Sequence, residues 1–208
     1  MCIKLLDEMI RKWVAVISHP VKFFKKETKA SSLSYGAKSV ILSGVISAII
    51  TIALGLAYPQ VLSEFAALLG TNLTAAVIVL ILVGMPLMSV VAWLIVSAVF
   101  FVFAKSLGGK GTYTSQSHGI ALINSAFNII TTVVFALLAI VAAGLISAQI
   151  AINVIIALYN FYVITIALRG IHKYSTVRAV FTWLIPVIIM LILALAAGLL
   201  VLSTLNIR

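Results

Sequence analysis

The residues that could do chemistry are concentrated in one polar stretch, Lys105 to Gly119, which separates two long apolar segments. Its centre reads Gly108-Gly-Lys-Gly-Thr112, and a glycine-rich turn carrying a lysine is the kind of sequence that cradles a phosphate group. The phosphate-loop pattern fails here, because Gly111 follows Lys110 where serine or threonine is required and Ala104 replaces the first glycine. We therefore predict a loop that turns on its glycines, with its lysines facing anionic groups such as lipid phosphates.

The three histidines do not form a metal or acid–base site in the sequence. His19, His118 and His172 lie in three different polar segments, and no carboxylate accompanies them there at ligand spacing. The chain has only four acidic residues, Asp7, Glu8, Glu27 and Glu64. Without an acid–base pair, an activated nucleophile or a metal-binding pattern, we expect surface histidines, no enzymatic activity and no cofactor.

Four asparagines interrupt apolar segments, namely Asn124, Asn128, Asn153 and Asn160. The first two are four residues apart and the other two seven apart, so each pair shares one face of its helix. Amides in hydrocarbon need hydrogen-bond partners, so we predict that these side chains face protein and join helices. The alternative is a polar path for a small neutral solute. No ionisable residue lies deep in an apolar segment, which argues against a proton-coupled carrier.

The composition places these residues in an integral membrane protein. Hydrophobic residues make up 64% of the 208 and charged residues 9%, with a mean hydropathy of +1.30. A soluble domain is ~45–50% apolar and ~25% charged. The single cysteine, Cys2, excludes an internal disulfide. The net charge of +10 comes from residues beside apolar segments, so we do not expect a nucleic-acid partner.

Five apolar segments are long enough to cross a bilayer and predict an all-α bundle of five spans. Their approximate limits are 38–58, 74–104, 120–145, 150–168 and 179–202. The chain thus divides into an N-terminal segment, 1–36, and a membrane domain, 37–208. The second span contains Gly84-Met-Pro86 and predicts one long tilted or bent helix, with a re-entrant segment as the alternative. A tight turn at 147–149 is predicted between the third and fourth spans.

The N-terminal segment predicts an amphipathic helix over 3–18, ended by His19-Pro20 and followed by the basic stretch 21–26. Such a helix can lie in the membrane interface with Trp13 at headgroup depth. The alternative is that it packs on the loops of the protein itself.

The distribution of positive charge predicts the orientation. Eight of the 14 Lys and Arg residues lie at or before Lys38, two lie in the 105–119 loop and three in the 169–178 loop. Only Arg208 lies on the other side of a five-span bundle. The positive-inside rule therefore places the N-terminus and both basic loops in the cytoplasm and the C-terminus outside.

Three stretches resemble the Ypt-interacting-protein (Yip) family of five-span membrane proteins. They are Pro20 followed by Phe23-Phe24, the glycine-rich loop 107–113, and the link 168–179 between the last two spans. The resemblance implies a role in membrane trafficking or shaping. The chain lacks an early proline in the third span, and its N-terminal region is short and basic where eukaryotic members have a long, often acidic one. It is closer to compact bacterial and archaeal members. The small-GTPase binding of eukaryotic members is therefore doubtful for this chain.

Residues and resemblance together predict a non-enzymatic membrane scaffold or adaptor in a prokaryotic cell membrane, with a transporter or channel subunit as the alternative. Its expected partners are anionic lipid headgroups on the cytoplasmic face and other membrane proteins or copies of itself. The residues expected to make these contacts are Lys25, Lys26, Lys105, Gly108, Gly109, Lys110, Gly111, His172 and Lys173.

Overall fold

The computed structural model describes residues 2–27, 31–58, 67, 74–141 and 146–205, and these form seven α-helices. The helices are α1 (Cys2–Ser18), α2 (Pro20–Glu27), α3 (Leu33–Ala57), α4 (Thr74–Ser106), α5 (Tyr113–Val141), α6 (Ile146–His172) and α7 (Thr176–Leu205). Each of the last five contains a segment long and apolar enough to cross a membrane. The predicted all-α bundle of five spans is therefore confirmed.

Helices α1 and α2 meet at the predicted break. Helix α1 ends at Ser18 and α2 begins at Pro20, where a proline at the first helical position loses no intrahelical hydrogen bond. The basic stretch 21–26, for which no helix is predicted, lies within α2.

Helix α1 uses two adjacent apolar faces. Met9, Trp13 and Val16 are buried, and the Trp13 Nε1–H donates to Ser39 Oγ of α3 at 2.8 Å. A second face that includes Ile10 remains exposed. Helix α1 therefore packs on the protein itself, as one of the two alternatives predicts, and contact of its exposed apolar face with the membrane interface stays a prediction. Trp13 lies inside the protein and does not face the headgroups.

Helix α4 is a single helix through Pro86, as the long-helix alternative predicts. It crosses α3 at Gly44, where an added Cβ would lie 2.7 Å from the Pro86 Cα. Glycine at this position therefore permits the close approach of the two backbones.

The predicted loops are longer than the observed ones. Between α4 and α5 only residues 107–112 are outside helices, because the Ser115 N–H donates to Thr112 Oγ1 at 3.2 Å and caps α5 at Tyr113. Between α6 and α7 only 173–175 are non-helical. The turn predicted at 147–149 lies within α6, and residues 142–145 between α5 and α6 are outside the described residues.

Buried residues are concentrated at one end of the bundle, which we call the basic end. It carries α1, α2 and the loops 107–112 and 173–175. Here every residue from Gln116 to Ile123 in α5 is buried. By contrast, every residue of α7 from 188 to 200 is exposed. The basic end is therefore the best-packed part of the described structure.

Candidate functional site

A fully buried histidine, His172 at the end of α6, organises the basic end. Its Nδ1 accepts a hydrogen bond from the Gly111 N–H at 3.2 Å, and its Nε2 lies 2.7 Å from Gln116 Oε1. The Gln116 Nε2–H donates in turn to the Ser97 carbonyl of α4 at 2.8 Å. Because Nδ1 accepts, a neutral ring carries its proton on Nε2 and donates it to Gln116. This chain of bonds joins α4, α5, α6 and the glycine-rich loop.

The glycines of the loop are required by its contact with the end of α6. A Cβ on Gly109 would lie 2.5 Å from His172 Nδ1, and a Cβ on Gly111 would lie 2.7 Å from Ile171 Cγ2. Gly108 has a φ of 82°, a left-handed conformation that favours glycine. The glycine-rich sequence thus holds the loop against a buried histidine.

The expectation of surface histidines is wrong for two of the three. His172 and His118 have exposed fractions of 0% and 2%, whereas His19 is exposed. His172 is therefore not available for the surface contact predicted for it. The sequence does not predict Gln116 as the partner of His172, because the polar residues 113–119 indicate a loop. The available signal was the capping pair Thr112 and Ser115, which marks a helix start before these polar residues.

Three lysines surround this buried network at the surface. Lys105, Lys110 and Lys173 are exposed, and the Lys110 N–H donates to the His172 carbonyl at 3.1 Å. Lys173 follows His172 directly and has a φ of 53°. We call these three residues the loop lysines. Lys25 and Lys26 are also exposed, in the last turn of α2. That these side chains contact lipid or a partner stays a prediction.

A second polar cluster attaches α1 and α2 to the bundle. The Glu27 Oε1 accepts from Lys12 Nζ at 2.5 Å and lies 3.1 Å from His118 Nε2. His118 Nδ1 lies 3.0 Å from the Ser32 carbonyl, so both ring nitrogens face acceptors and both bonds form only with the doubly protonated ring. Burial alone raises the pKa of Glu27, but the hydrogen bonds and charges of His118 and Lys12 lower it below its ordinary value of 4.5.

Every side-chain carboxylate among the described residues forms an ion pair, either within α1 or between α2 and the helices next to it. Asp7 pairs with Arg11, Glu8 with Lys12, and Glu27 with Lys12 and His118. Across the described ranges no carboxylate pairs with Lys22, Lys25, Lys26 or the loop lysines. The basic end therefore carries uncompensated positive charge.

The four asparagines are not brought together. Asn124 and Asn128 line a cavity of about 170 Å³ between α3, α4 and α5, which also contacts Ser43 and Ser89. The other two lie on α6, where Asn153 is exposed. The Oδ1 of Asn160 is buried without a hydrogen-bond partner in the described structure. A single polar path lined by all four is therefore not observed among these residues, and their predicted packing role stays a prediction.

Within the described ranges, no group of three or more His, Cys, Asp or Glu side chains could hold a metal ion. The polar side chains of the basic end instead form buried hydrogen bonds, some neutral and some ionic. Exposed lysines lie at the surface above them.

Five long apolar helices, two shorter N-terminal helices and a packed basic end define a polytopic α-helical membrane protein. A family model described as the Yip1 domain matches residues 14–198. The chain therefore belongs to the Yip1-domain family, and the resemblance seen in the sequence is confirmed. No curated protein and no solved structure matched the chain.

Proposed function

We propose that this protein is a non-enzymatic membrane scaffold or adaptor whose basic end faces the cytoplasm. In this proposal the loop lysines dock a protein partner, and the lysines of α2 contact anionic lipid headgroups. The observation that carries it is the group of exposed lysines, unpaired with any carboxylate in the described structure, held above the buried His172 network. The family, which is not in general one of enzymes, supports the non-enzymatic part.

The hydrogen bonds beneath the loop lysines favour a docking function for physical reasons. The loop is fixed by the His172 side chain at Gly111 and by the His172 carbonyl at Lys110. A surface that is already ordered loses less conformational entropy when a partner binds. Lysines that are not paired with carboxylates also attract an acidic partner or membrane surface over a Debye length of ~8 Å at physiological salt.

A second candidate is a transporter or channel subunit for a small neutral solute, in a bilayer of a prokaryotic cell. One observation favours it, the cavity of about 170 Å³ that Asn124 and Asn128 share with two serines. The protein supplies no described hydrogen-bond partner to either amide, so both could bind a polar solute. Asn153 and Asn160 lie apart from this cavity on α6, which leaves the scaffold as the better-supported proposal.

The docking proposal is tested by extracting the protein in gentle detergent and identifying the proteins that co-purify. A triple variant of the loop lysines should lose specific partners that the unchanged protein retains. It combines Lys105→Gln, Lys110→Gln and Lys173→Gln. The control removes the same number of charges from α2, by Lys22→Gln, Lys25→Gln and Lys26→Gln, and should keep them. Recovery of no stable partner, together with solute flux in liposomes, would overturn the scaffold in favour of the second candidate.

The orientation is tested separately by labelling single cysteines in intact cells, after Cys2→Ser removes the natural thiol. A cysteine at position 110, in the glycine-rich loop, should be protected from an impermeant reagent. A cysteine at position 66, in the connection predicted between the first two spans, should react. The reverse pattern would refute the assignment of the basic end to the cytoplasm.

A further inference from the structure

A cleft at the basic end lies where the α1–α2 turn meets α6. Two cavities of about 410 and 430 Å³ occur here, and both are lined by His19 and Lys22. The first lies between α1 and α2 and also contacts Lys26. The second is bounded on its other side by Tyr159 and Tyr162 of α6. We call the two together the α1–α2 cleft.

One side of the cleft is positively charged. Lys22 and Lys26 are exposed and pair with no carboxylate of the described chain. Among the described residues Glu27 is the only acidic one in the lining, and its carboxylate already accepts hydrogen bonds from Lys12 and His118. A phosphate entering the cleft therefore meets free ammonium groups and a carboxylate whose charge is locally compensated.

The other side of the cleft is aromatic and continues onto apolar surface. Tyr159 and Tyr162 stack with ring centroids 5.8 Å apart, and the Tyr159 hydroxyl donates to the Ile17 carbonyl at 2.5 Å. This bond ties α6 to α1. From the tyrosines towards the other end of the bundle, α6 exposes Leu158 and Ile155, with exposed fractions of 64% and 65%.

We propose that the α1–α2 cleft binds one anionic phospholipid. Its phosphate contacts Lys22 and Lys26, and its acyl chains follow the exposed face of α6 past Leu158. This rests on the proposed function in one respect, that the basic end lies at a bilayer surface. A lipid uses both sides of the cleft, whereas a free phosphate leaves the tyrosines and the apolar face of α6 without a contact. Tyrosine is also enriched at the level of the headgroups, and lysine can extend its ammonium group to that level from apolar surface.

The test measures lipid binding to the purified full-length protein by native mass spectrometry. Phosphatidylglycerol and phosphatidylcholine with identical acyl chains are added in turn, so that only headgroup charge differs. We expect one phosphatidylglycerol per chain to be retained in preference to phosphatidylcholine. The cleft variant Lys22→Gln, Lys26→Gln should weaken this binding about thirtyfold, at ~fivefold for each lysine near a membrane surface.

Two further arms identify which part of the lipid is recognised. Tyr162→Ala should weaken phosphatidylglycerol binding, because the tyrosine side of the cleft is lost while both lysines remain. Inorganic phosphate at millimolar concentration should not displace the lipid. Displacement by phosphate alone, with Tyr162→Ala without effect, would show an anion site and refute the lipid proposal.

The control is Lys38→Gln, Arg178→Gln, which removes two exposed charges at the same end but outside both the cleft and the loop lysines. It should retain phosphatidylglycerol as the unchanged protein does, and the melting temperature of each variant establishes that it is folded. Equal loss of lipid in the control and the cleft variant would show non-specific attraction and overturn the site. If the cleft fails these tests while the loop lysines still capture a partner, this inference falls and the docking proposal stands.

Discussion

The attachment of the N-terminal helices by Glu27 gives the sharpest prediction for stability. Glu27→Gln keeps the size of the side chain but removes the charge that Lys12 and His118 share at 2.5 and 3.1 Å. The side chains of His118 and Glu27 are 2% and 12% exposed, so water replaces the lost interactions poorly. The imidazole, whose other nitrogen faces the Ser32 carbonyl, would then be left without its anionic partner.

The magnitude follows from the number and burial of these bonds. A hydrogen bond to a charged group contributes ~1.5–3 kcal/mol, and removing one partner of a buried ion pair costs ~3–5 kcal/mol. Lys12 is 21% exposed and keeps Glu8 at 3.5 Å, and glutamine can still accept one bond, so both figures are upper limits here. We expect Glu27→Gln to reduce the free energy of opening α1 and α2 from the bundle by about 2–4 kcal/mol.

The measurement is amide hydrogen exchange of residues 2–27 in lipid nanodiscs. A loss of 2–4 kcal/mol should accelerate exchange in α1 and α2 by roughly 30- to 800-fold if opening is local. Asp7→Asn is the matched control, because Asp7 and Arg11 form an exposed i,i+4 pair that contributes only ~0.3–0.5 kcal/mol. Equal acceleration in the two variants would refute the reasoning that buried charge, and not surface pairing, holds these helices.

Three further outcomes follow from the same geometry. Gly109→Ala should lower the free energy of unfolding by about 1–3 kcal/mol, because its Cβ would lie 2.5 Å from His172 Nδ1. Gly198→Ala, which meets nothing within 4 Å, is the control in denaturant titration, and an equal loss there would contradict the steric explanation. Lys173→Gly should raise the free energy of unfolding by about 0.5–1 kcal/mol by relieving a φ of 53°, whereas a decrease would show that the lysine side chain is required. Acidification should release α1 and α2 only below pH 4.5. Folding lowers the pKa of Glu27, so the stabilisation by its carboxylate is lost as the pH falls through that lower pKa. Release already at pH 6 in the exchange assay would disprove this.

The sequence predicted the spans well because length and apolarity alone decide whether a segment can cross a bilayer. It failed at 113–119, where polar residues within a membrane protein indicated a loop. These residues form the first turns of α5, where Gln116 and His118 find hydrogen-bond partners on other helices. Such partners are far apart along the chain and cannot be recognised from the composition of one segment.

The asparagines show the same limit for helix faces. Helical periodicity placed Asn124 and Asn128 on one face, and both do line one cavity. Periodicity does not say which neighbour that face meets, since this depends on the rotation of each helix in the bundle. Asn153 and Asn160 lie on α6, from which no described residue lines this cavity, and Asn153 is exposed.

The distribution of bonds between helices explains why the basic end is the packed end. In hydrocarbon no hydrophobic driving force brings apolar helices together, so membrane helices associate through close packing and hydrogen bonds. The bond from Trp93 Nε1–H of α4 to the Ser117 carbonyl, the relay from Trp13 through Ser39 to Ser125, and the bonds of His172 all lie among the buried residues of this end. Residues 188–200 of α7 are instead all exposed. Bonds of this kind fix the positions of the loop lysines and of the α1–α2 cleft, and the proposed docking function requires surfaces that are fixed in this way.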